Sequence, residues 1–430
     1  MSVELTILTG LIGVLALFAI VRPSMLFGYP IAAAMLMWFF LIPQAWRIES
    51  VGELNDFEPT LTWGYMILCV LMTVIGFVAG GARTPAVNRN TLEALSEKYD
   101  LNKLFIGSVA LVAIGGFAMI MISREAATMA ANEAWTGAIA FYAMISILLI
   151  YGACLSWLLY LYTSSLRCLT IAVFGLAFTV PTILFGARRE LSFTVASIIL
   201  LGFFFVKGRS VSRLILVPLV LFGGILVNQA GEIRGYISQK DSNLIQAVAA
   251  SDQQSADTNL KRYDEMASGV SDIAIASWSN DYKLLSPYYN TIVQLYVPAF
   301  IFGRDFKNAM RADDADSERY SRYFANGATR TGFSDSFQSF HYFGCLIFFA
   351  ISYCMGILWK NARSGDIVSQ FYYMLLLAVG LKVFTESTSI FIGILPLIIG
   401  STFVVFRYAQ RKVPGKGGQP LVPYARQRLS

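Results

Sequence analysis

Arginines flanked by glycines occur at two places where a long apolar run ends. The segment GARRE contains Arg188, Arg189 and Glu190, and the segment GEIRG contains Glu232 and Arg234. An arginine fork matches phosphate oxygens in bidentate fashion, and the free N–H groups of a helix that begins there add further donors. Both segments therefore predict a site for a phosphate-type anion. The alternative is a polar turn, or an ordinary arginine at the membrane interface.

A second group of titratable side chains lies later in the chain. The segment RTGFSDSFQSFHYFG runs from Arg330 to Gly344 and contains Asp335 and the only histidine, His341. A carboxylate or an imidazole at this place is a candidate general base or acid. The alternative for His341 is an amphipathic belt residue beside Tyr342.

Lys382 and Glu386 are four residues apart. On one helix they lie on the same face and can pair, which lowers the free-energy cost of burying them. The pair is a candidate for substrate binding, for a proton path or for a structural role.

Cofactor and metal motifs are missing from the sequence. There is no phosphate-binding GxxxxGK[ST] loop and no His/Cys cluster. The acidic run DDAD at 313–316 is better interpreted as a solvated turn than as a metal site. We therefore expect neither a cofactor nor a metal.

The composition excludes most classes of protein. Of 430 residues 56% are hydrophobic and only 14% are charged, whereas soluble domains contain about 25% charged residues. Disordered and collagen-like chains are far more polar or repetitive, and five cysteines are too few for a disulfide scaffold. The remaining class is an all-α, polytopic membrane protein.

Charge-free windows define the predicted spans, because a spanning helix needs about 20 apolar residues. The predicted domains are helices 1–8 in 1–229, a large loop at 230–336, helices 9–11 in 337–408 and a basic tail at 409–430. The eleven windows are 5–21, 23–46, 59–82, 104–123, 134–166, 168–187, 191–206, 214–231, 336–359, 367–381 and 387–406.

Lysine and arginine predict the orientation, since cytoplasmic loops are enriched in them. The tail at 409–430 is basic and carries no acid, so we expect it to be cytoplasmic. Eleven spans then place the N-terminus and the large loop outside. We expect this loop to contain short helices, and its apolar run 292–302 contains Pro298 and is too short to span. The basic charge reflects topology and anionic lipid rather than nucleic acid.

Several of these segments resemble those of bacterial Wzy-type polymerases of O-antigen, capsule and exopolysaccharide repeat units, and of the related O-antigen ligases. GARRE resembles the family's Gly-x-Arg turn, and GEIRG resembles the arginine at the mouth of the large loop. The segment YVP with the later Gly303-Arg304 resembles the proline-containing part of that loop. The stretch that ends in YFG at Gly344 resembles the entry to the following helix.

The resemblance implies a metal-independent glycosyltransferase of the bacterial inner membrane. Its donor would be an oligosaccharide linked to undecaprenyl pyrophosphate, and its acceptor a second lipid-linked repeat unit. A chain-length regulator and a flippase are candidate partners. The resemblance implies catalytic roles for Arg188, Arg234 and a base among Glu232, Asp335 and His341. Substrate-binding candidates are Arg189, Arg304, Arg330, Tyr288, Tyr289, Lys382 and Glu386.

Three other functions stay open: an O-antigen ligase, a secondary transporter or flippase, and a non-catalytic membrane scaffold of an export complex, which is favoured if the arginines prove dispensable. Ligases of the related family carry a histidine in the large loop, whereas His341 already enters the ninth predicted helix, which places a ligase second. A secondary transporter or flippase for polysaccharide precursors would show internal repeats and midplane charges. We find no repeat, and most charges lie at the ends of the predicted spans.

The predicted topology can be tested with reporter fusions at Ser242, in the large loop, and at Gly415, in the tail. We expect the two reporters on opposite sides of the membrane, because the lysine and arginine asymmetry places only the tail in the cytoplasm. Two reporters on the same side would contradict the eleven-span map.

Overall fold

The computed structural model describes residues 2–51, 59–82, 92–126, 138–185, 189–208, 265–279, 284–312 and 331–411. Within these ranges the chain is helical, with a single isolated bridge between Tyr99 and Gln410. The helices are α1 Val3–Val21, α2 Tyr29–Leu36, α3 Ile42–Val51, α4 Thr60–Phe77, α5 Leu92–Lys98, α6 Leu101–Ala126, α7 Ala138–Ser146, α8 Leu148–Thr163, α9 Leu166–Phe185, α10 Arg189–Lys207, α11 Glu265–Ser279, α12 Ser286–Tyr296, α13 Ala299–Phe302, α14 Arg304–Ala309, α15 Gly332–Phe340, α16 Cys345–Arg363, α17 Ile367–Thr385 and α18 Thr388–Ala409.

The all-α, polytopic membrane fold predicted from composition is confirmed. Eight helical stretches of the described chain are long and apolar enough to cross a membrane, and two shorter apolar helices match the sixth and seventh predicted windows. The window at 214–231 lies outside the described residues, so the count of eleven stays a prediction. The eight stretches are Val3–Val21, Tyr29–Ser50, Thr60–Gly81, Leu101–Arg124, Phe141–Thr163, Gly332–Arg363, Ile367–Thr385 and Thr388–Ala409.

Packing contacts show which helix ends share one side of the bundle. α10 and α17 are antiparallel, because Thr194 and Lys382 line one cavity whereas Phe205 packs on Tyr373. Gly332, the first residue of α15, lies against Val383 near the end of α17. α17 stops and α18 begins at one end of the bundle, which we call the Asp335 end. We call the other end of the bundle the opposite end. α10 therefore stops at the opposite end and α15 begins at the Asp335 end.

Small residues allow the closest approach between two helices. A Cβ at Gly76 or Gly80 would overlap the backbone of α16 at Phe349 or Tyr353. Small side chains at such crossings bring backbones together, which favours association inside a membrane. Gly76 lies against Phe349, and Gly80 lies against Tyr353, so the two helices run parallel. Both α4 and α16 therefore begin at the Asp335 end.

The ninth predicted window, 336–359, is not one continuous helix. α15 ends at Phe340, His341 adopts φ 54° and ψ −139°, and α16 begins only at Cys345. At Gly344 any side chain would overlap the carbonyl oxygen of Ser336, so the chain folds back tightly there. The predicted boundary between loop and helix, at 336, falls inside α15. The polar residues of α15, on the N-terminal side of this break, are buried.

Short helices precede α15, as predicted for the large loop. α12 lies along the first turns of α18, where Tyr288 contacts Thr388 and the hydroxyl of Tyr296 donates to the carbonyl of Gly393. The apolar run that contains Pro298 is not one continuous helix, since α12 ends at Tyr296 and α13 begins at Ala299.

The α4–α16 contact predicts a difference between two glycines of one helix. Gly76→Ala should lower stability by about 1–3 kcal/mol, because the new methyl group overlaps the backbone of α16. Gly64→Ala should leave stability unchanged or raise it by up to about 1 kcal/mol, since nothing lies within 4 Å of that position. Thermal unfolding of the purified protein in detergent measures both changes. Equal melting temperatures for the two variants would contradict the packing described.

Candidate functional site

A buried carboxylate connects α15 to the start of α18. Asp335 lies in the first turn of α15 and is only 4% exposed. Its Oδ1 accepts a hydrogen bond of 2.8 Å from the Thr388 hydroxyl, and its Oδ2 accepts hydrogen bonds from the Ser387 hydroxyl and the Ser389 backbone N–H. Ser387 is the N-cap residue of α18. The negative charge therefore lies at the positive end of the helix dipole, which stabilises it.

The hydroxyl groups of Thr388 and Ser389 also hold α12 in place. The Tyr288 hydroxyl lies 2.7 Å from the Thr388 hydroxyl, and the Thr291 hydroxyl lies 2.8 Å from that of Ser389. Because Thr388 donates to Asp335, Tyr288 donates to Thr388. Burial, followed by the nearby carboxylate of Asp335, raises the pKa of Tyr288 above its ordinary value. Tyr288 therefore stays protonated and acts as a hydrogen-bond donor.

His341 lies at the backbone break and packs between aromatic rings. Its ring centroid is 4.7 Å from that of Phe337 and 4.4 Å from that of Tyr342. The hydroxyl of Tyr65, on α4, is 2.9 Å from that of Ser336 on α15 and so connects this region to the bundle. A non-glycine residue with positive φ is strained, and such strain persists only where surrounding contacts enforce it. The contact with Tyr342 is edge-on and that with Phe337 is tilted, and the roles of His341 as a belt residue or as a base both stay predictions.

The predicted pairing of Lys382 and Glu386 is confirmed. Lys382 Nζ lies 3.5 Å from Glu386 Oε2, with side chains that are 17% and 25% exposed. The helix does not continue through both residues, because Glu386 is the C-cap of α17. Lys382 lies in the last helical turn, where the helix dipole favours a cation. A role of the pair in binding stays a prediction.

The predicted tyrosines differ in their surroundings. Tyr288 is buried, and its ring packs on Phe340 with centroids 6.1 Å apart, so no face is open to a sugar. Tyr289 is 44% exposed and can offer its ring to a ligand.

The arginines of the predicted anion site fall largely outside the described residues. Arg188 and Arg234 of that site, and the candidates Glu232 and Arg330, lie outside the described residues, so the convergence of the arginines stays a prediction. Arg189 and Arg304 begin α10 and α14, but their side chains lie outside the described part. The start of α10 belongs to the Asp335 end, since Thr194 in its second turn shares a cavity with Lys382.

Sequence reasoning missed one acidic residue, Asp272. It lies in α11 and is 1% exposed, between the buried apolar residues Val270 and Ile273. α11 packs on α15, because a Cβ at Gly269 would meet the Thr331 side chain. The signal was an acid inside the run GVSDIAIAS, which is otherwise apolar or small. In the described residues no group of three or more His, Cys, Asp or Glu side chains could hold a metal ion.

The chain matches no protein family, no curated protein and no solved structure. Its function must therefore be inferred from its own residues and geometry.

The Asp335 contact predicts a stability difference between two helix caps. Asp335→Ala should lower the unfolding free energy by about 2–3 kcal/mol, because it removes charged hydrogen bonds and leaves buried donors without an acceptor. Asp366 caps α17 by accepting from Ser369 but is 27% exposed, so Asp366→Ala should cost only about 1 kcal/mol. Thermal unfolding in detergent compares the two variants. A larger loss for Asp366→Ala would contradict a central role for Asp335.

Proposed function

We propose that this chain is a membrane-embedded glycosyltransferase that joins oligosaccharide repeat units carried on undecaprenyl pyrophosphate. The observation that carries the proposal is the buried polar helix α15, whose Ser334, Asp335 and Gln338 are each at most 4% exposed. Polar side chains in a membrane protein are costly, so their burial at one end of the bundle favours a functional site there. The resemblance of GARRE and GEIRG to segments of the Wzy-type polymerases supplies the substrate class.

The anion-binding part of this proposal uses the start of α10. Arg189 begins that helix at the Asp335 end. The first-turn N–H groups of a helix favour a phosphate, and Arg188, Arg189 and Arg234 would add bidentate donors. These groups would hold the pyrophosphate and stabilise the negative charge that grows on the leaving oxygen.

The proton acceptor is then Glu232 or His341. Asp335 already accepts hydrogen bonds from Ser387, Thr388 and Ser389. A carboxylate held this way suits a positioning role, in which it fixes the start of α18 beside α15.

Charge supports an orientation in which the Asp335 end faces away from the cytoplasm. Short connections and helix ends at the opposite end carry many lysines and arginines, as cytoplasmic loops do. We therefore propose the bacterial inner membrane, with the site open to the outer leaflet. The cations at the opposite end include Arg22, Lys98, Lys103, Arg167, Lys207, Lys360, Arg363 and Arg407.

Arginine variants test the proposed chemistry. Arg188→Ala and Arg234→Ala should each lower the rate of polymer formation about a hundredfold, because losing one charged contact to a developing oxyanion costs about 3 kcal/mol. Arg→Lys should restore activity only in part, since an ammonium group cannot make the two-pronged contact. The assay follows transfer between lipid-linked repeat units by purified protein, with chelator and without ATP.

The matched control is Arg407→Ala, at the opposite end of the bundle, which should leave activity unchanged. His341→Ala separates the two candidate bases, because a belt residue would leave most activity in place. Full activity of both Arg188→Ala and Arg234→Ala would reject the mechanism, and a strict requirement for metal would indicate another active site.

A secondary transporter or flippase is the second candidate. The observation that favours it is the interruption between α15 and α16 at His341, because discontinuous helices often form the binding sites of transporters. Proteoliposomes distinguish the two functions: a transporter moves the lipid-linked unit without forming a glycosidic bond, whereas the polymerase lengthens it. An O-antigen ligase would instead require a lipid A-core acceptor.

A further inference from the structure

A cavity lies inside the bundle between α8, α10, α17 and α18. Its volume is about 70 Å³, and its walls are formed by eight aliphatic side chains together with Tyr151, Thr194 and Lys382. A water molecule needs at least roughly 10–15 Å³ of such space and takes up about 30 Å³ in the liquid, so the cavity has room for about two waters.

One polar atom in this wall lacks a partner. Tyr151 is 2% exposed, and among the described residues its hydroxyl has no hydrogen-bond partner. A buried polar group left unpaired costs about 1–3 kcal/mol. Thr194 and Lys382 supply two more polar groups to the same space, and Lys382 also pairs with Glu386. Purely apolar cavities stay dry, whereas water is stable where it finds two to four polar partners.

The cavity extends from the Asp335 end toward the middle of the membrane. It begins beside Lys382, in the last turn of α17, and its wall on α18 runs from Ile390 to Ile398. At 1.5 Å per residue this wall is about 12 Å deep. Ile398 is the eleventh of the 22 residues of α18, which places it near the helix midpoint.

We propose that this cavity is a water-filled vestibule that opens at the Lys382–Glu386 pair and ends near Ile398. It gives water and small hydrogen-bonding solutes access to the middle of the bundle from the Asp335 end. The partly exposed ion pair marks the aqueous mouth, and Tyr151 is one of the residues that line the cavity. This inference does not depend on the proposed transferase activity.

Cysteine accessibility tests the occupant of the cavity. Thr194→Cys and Ile398→Cys are introduced one at a time into full-length protein whose five native cysteines are replaced by alanine or serine. Membranes are treated from both sides with a permanently charged methanethiosulfonate, which reacts with thiols in water. We expect both cysteines to be modified at least tenfold faster than a cysteine in lipid.

The control for Ile398→Cys is Ile399→Cys, since Ile399 is at the same depth on the same helix but is 49% exposed on the outer face. It should react with lipid-soluble N-ethylmaleimide and not with the charged reagent. The vestibule is disproved if Ile398→Cys behaves like Ile399→Cys, which would indicate lipid, or if only Thr194→Cys is modified, which would indicate a shallow pocket. The amount of each variant that elutes as folded protein in detergent separates these outcomes from misfolding.

Discussion

The hydrogen bonds between Asp335 and the first turn of α18 connect α15 to α18 and so fix the packing of the helices at the Asp335 end. An isolated carboxylate inside a membrane protein would be very costly, and here it is matched by two hydroxyls, one N–H and a helix dipole. The Thr388 hydroxyl also bonds to Tyr288 of α12, and the Ser389 hydroxyl bonds to Thr291 of the same helix. A single buried acid therefore connects α15 to the start of α18, which in turn holds α12.

Features that depend on local composition could be predicted from the sequence. The charge-free window 104–123 corresponds to α6, Leu101–Ala126, because a run of that length has no other way to satisfy its backbone in lipid. Lys382 and Glu386 do pair, as their spacing of four residues suggested, although the helix that was expected to continue through both ends at Glu386. Both inferences used only neighbours in the chain.

Features that depend on distant contacts could not be predicted. The hydropathy of the sequence does not reveal the backbone break at His341. The apolar run that follows α15 looks as if it continued the same helix. The partners of Asp335 lie 52 to 54 residues away, and no spacing rule connects them. Asp272 was missed for the same reason, since its helix, α11, packs against α3, α4 and α15, which are distant in the sequence.

The two ends of the bundle differ in a way that bears on the type of function. Among the described residues the buried carboxylate of Asp335 and the cavity lie toward the Asp335 end, whereas aromatic rings pack together toward the opposite end. The Trp359 ring lies 5.5 Å from Phe204, 5.5 Å from Phe205 and 5.1 Å from Tyr373. Alternating access would have to separate these rings, at about 0.5–1.5 kcal/mol per pair in addition to the exposed apolar surface. An enzyme that works on substrates from one leaflet needs no such opening, so this asymmetry favours a transferase over a transporter.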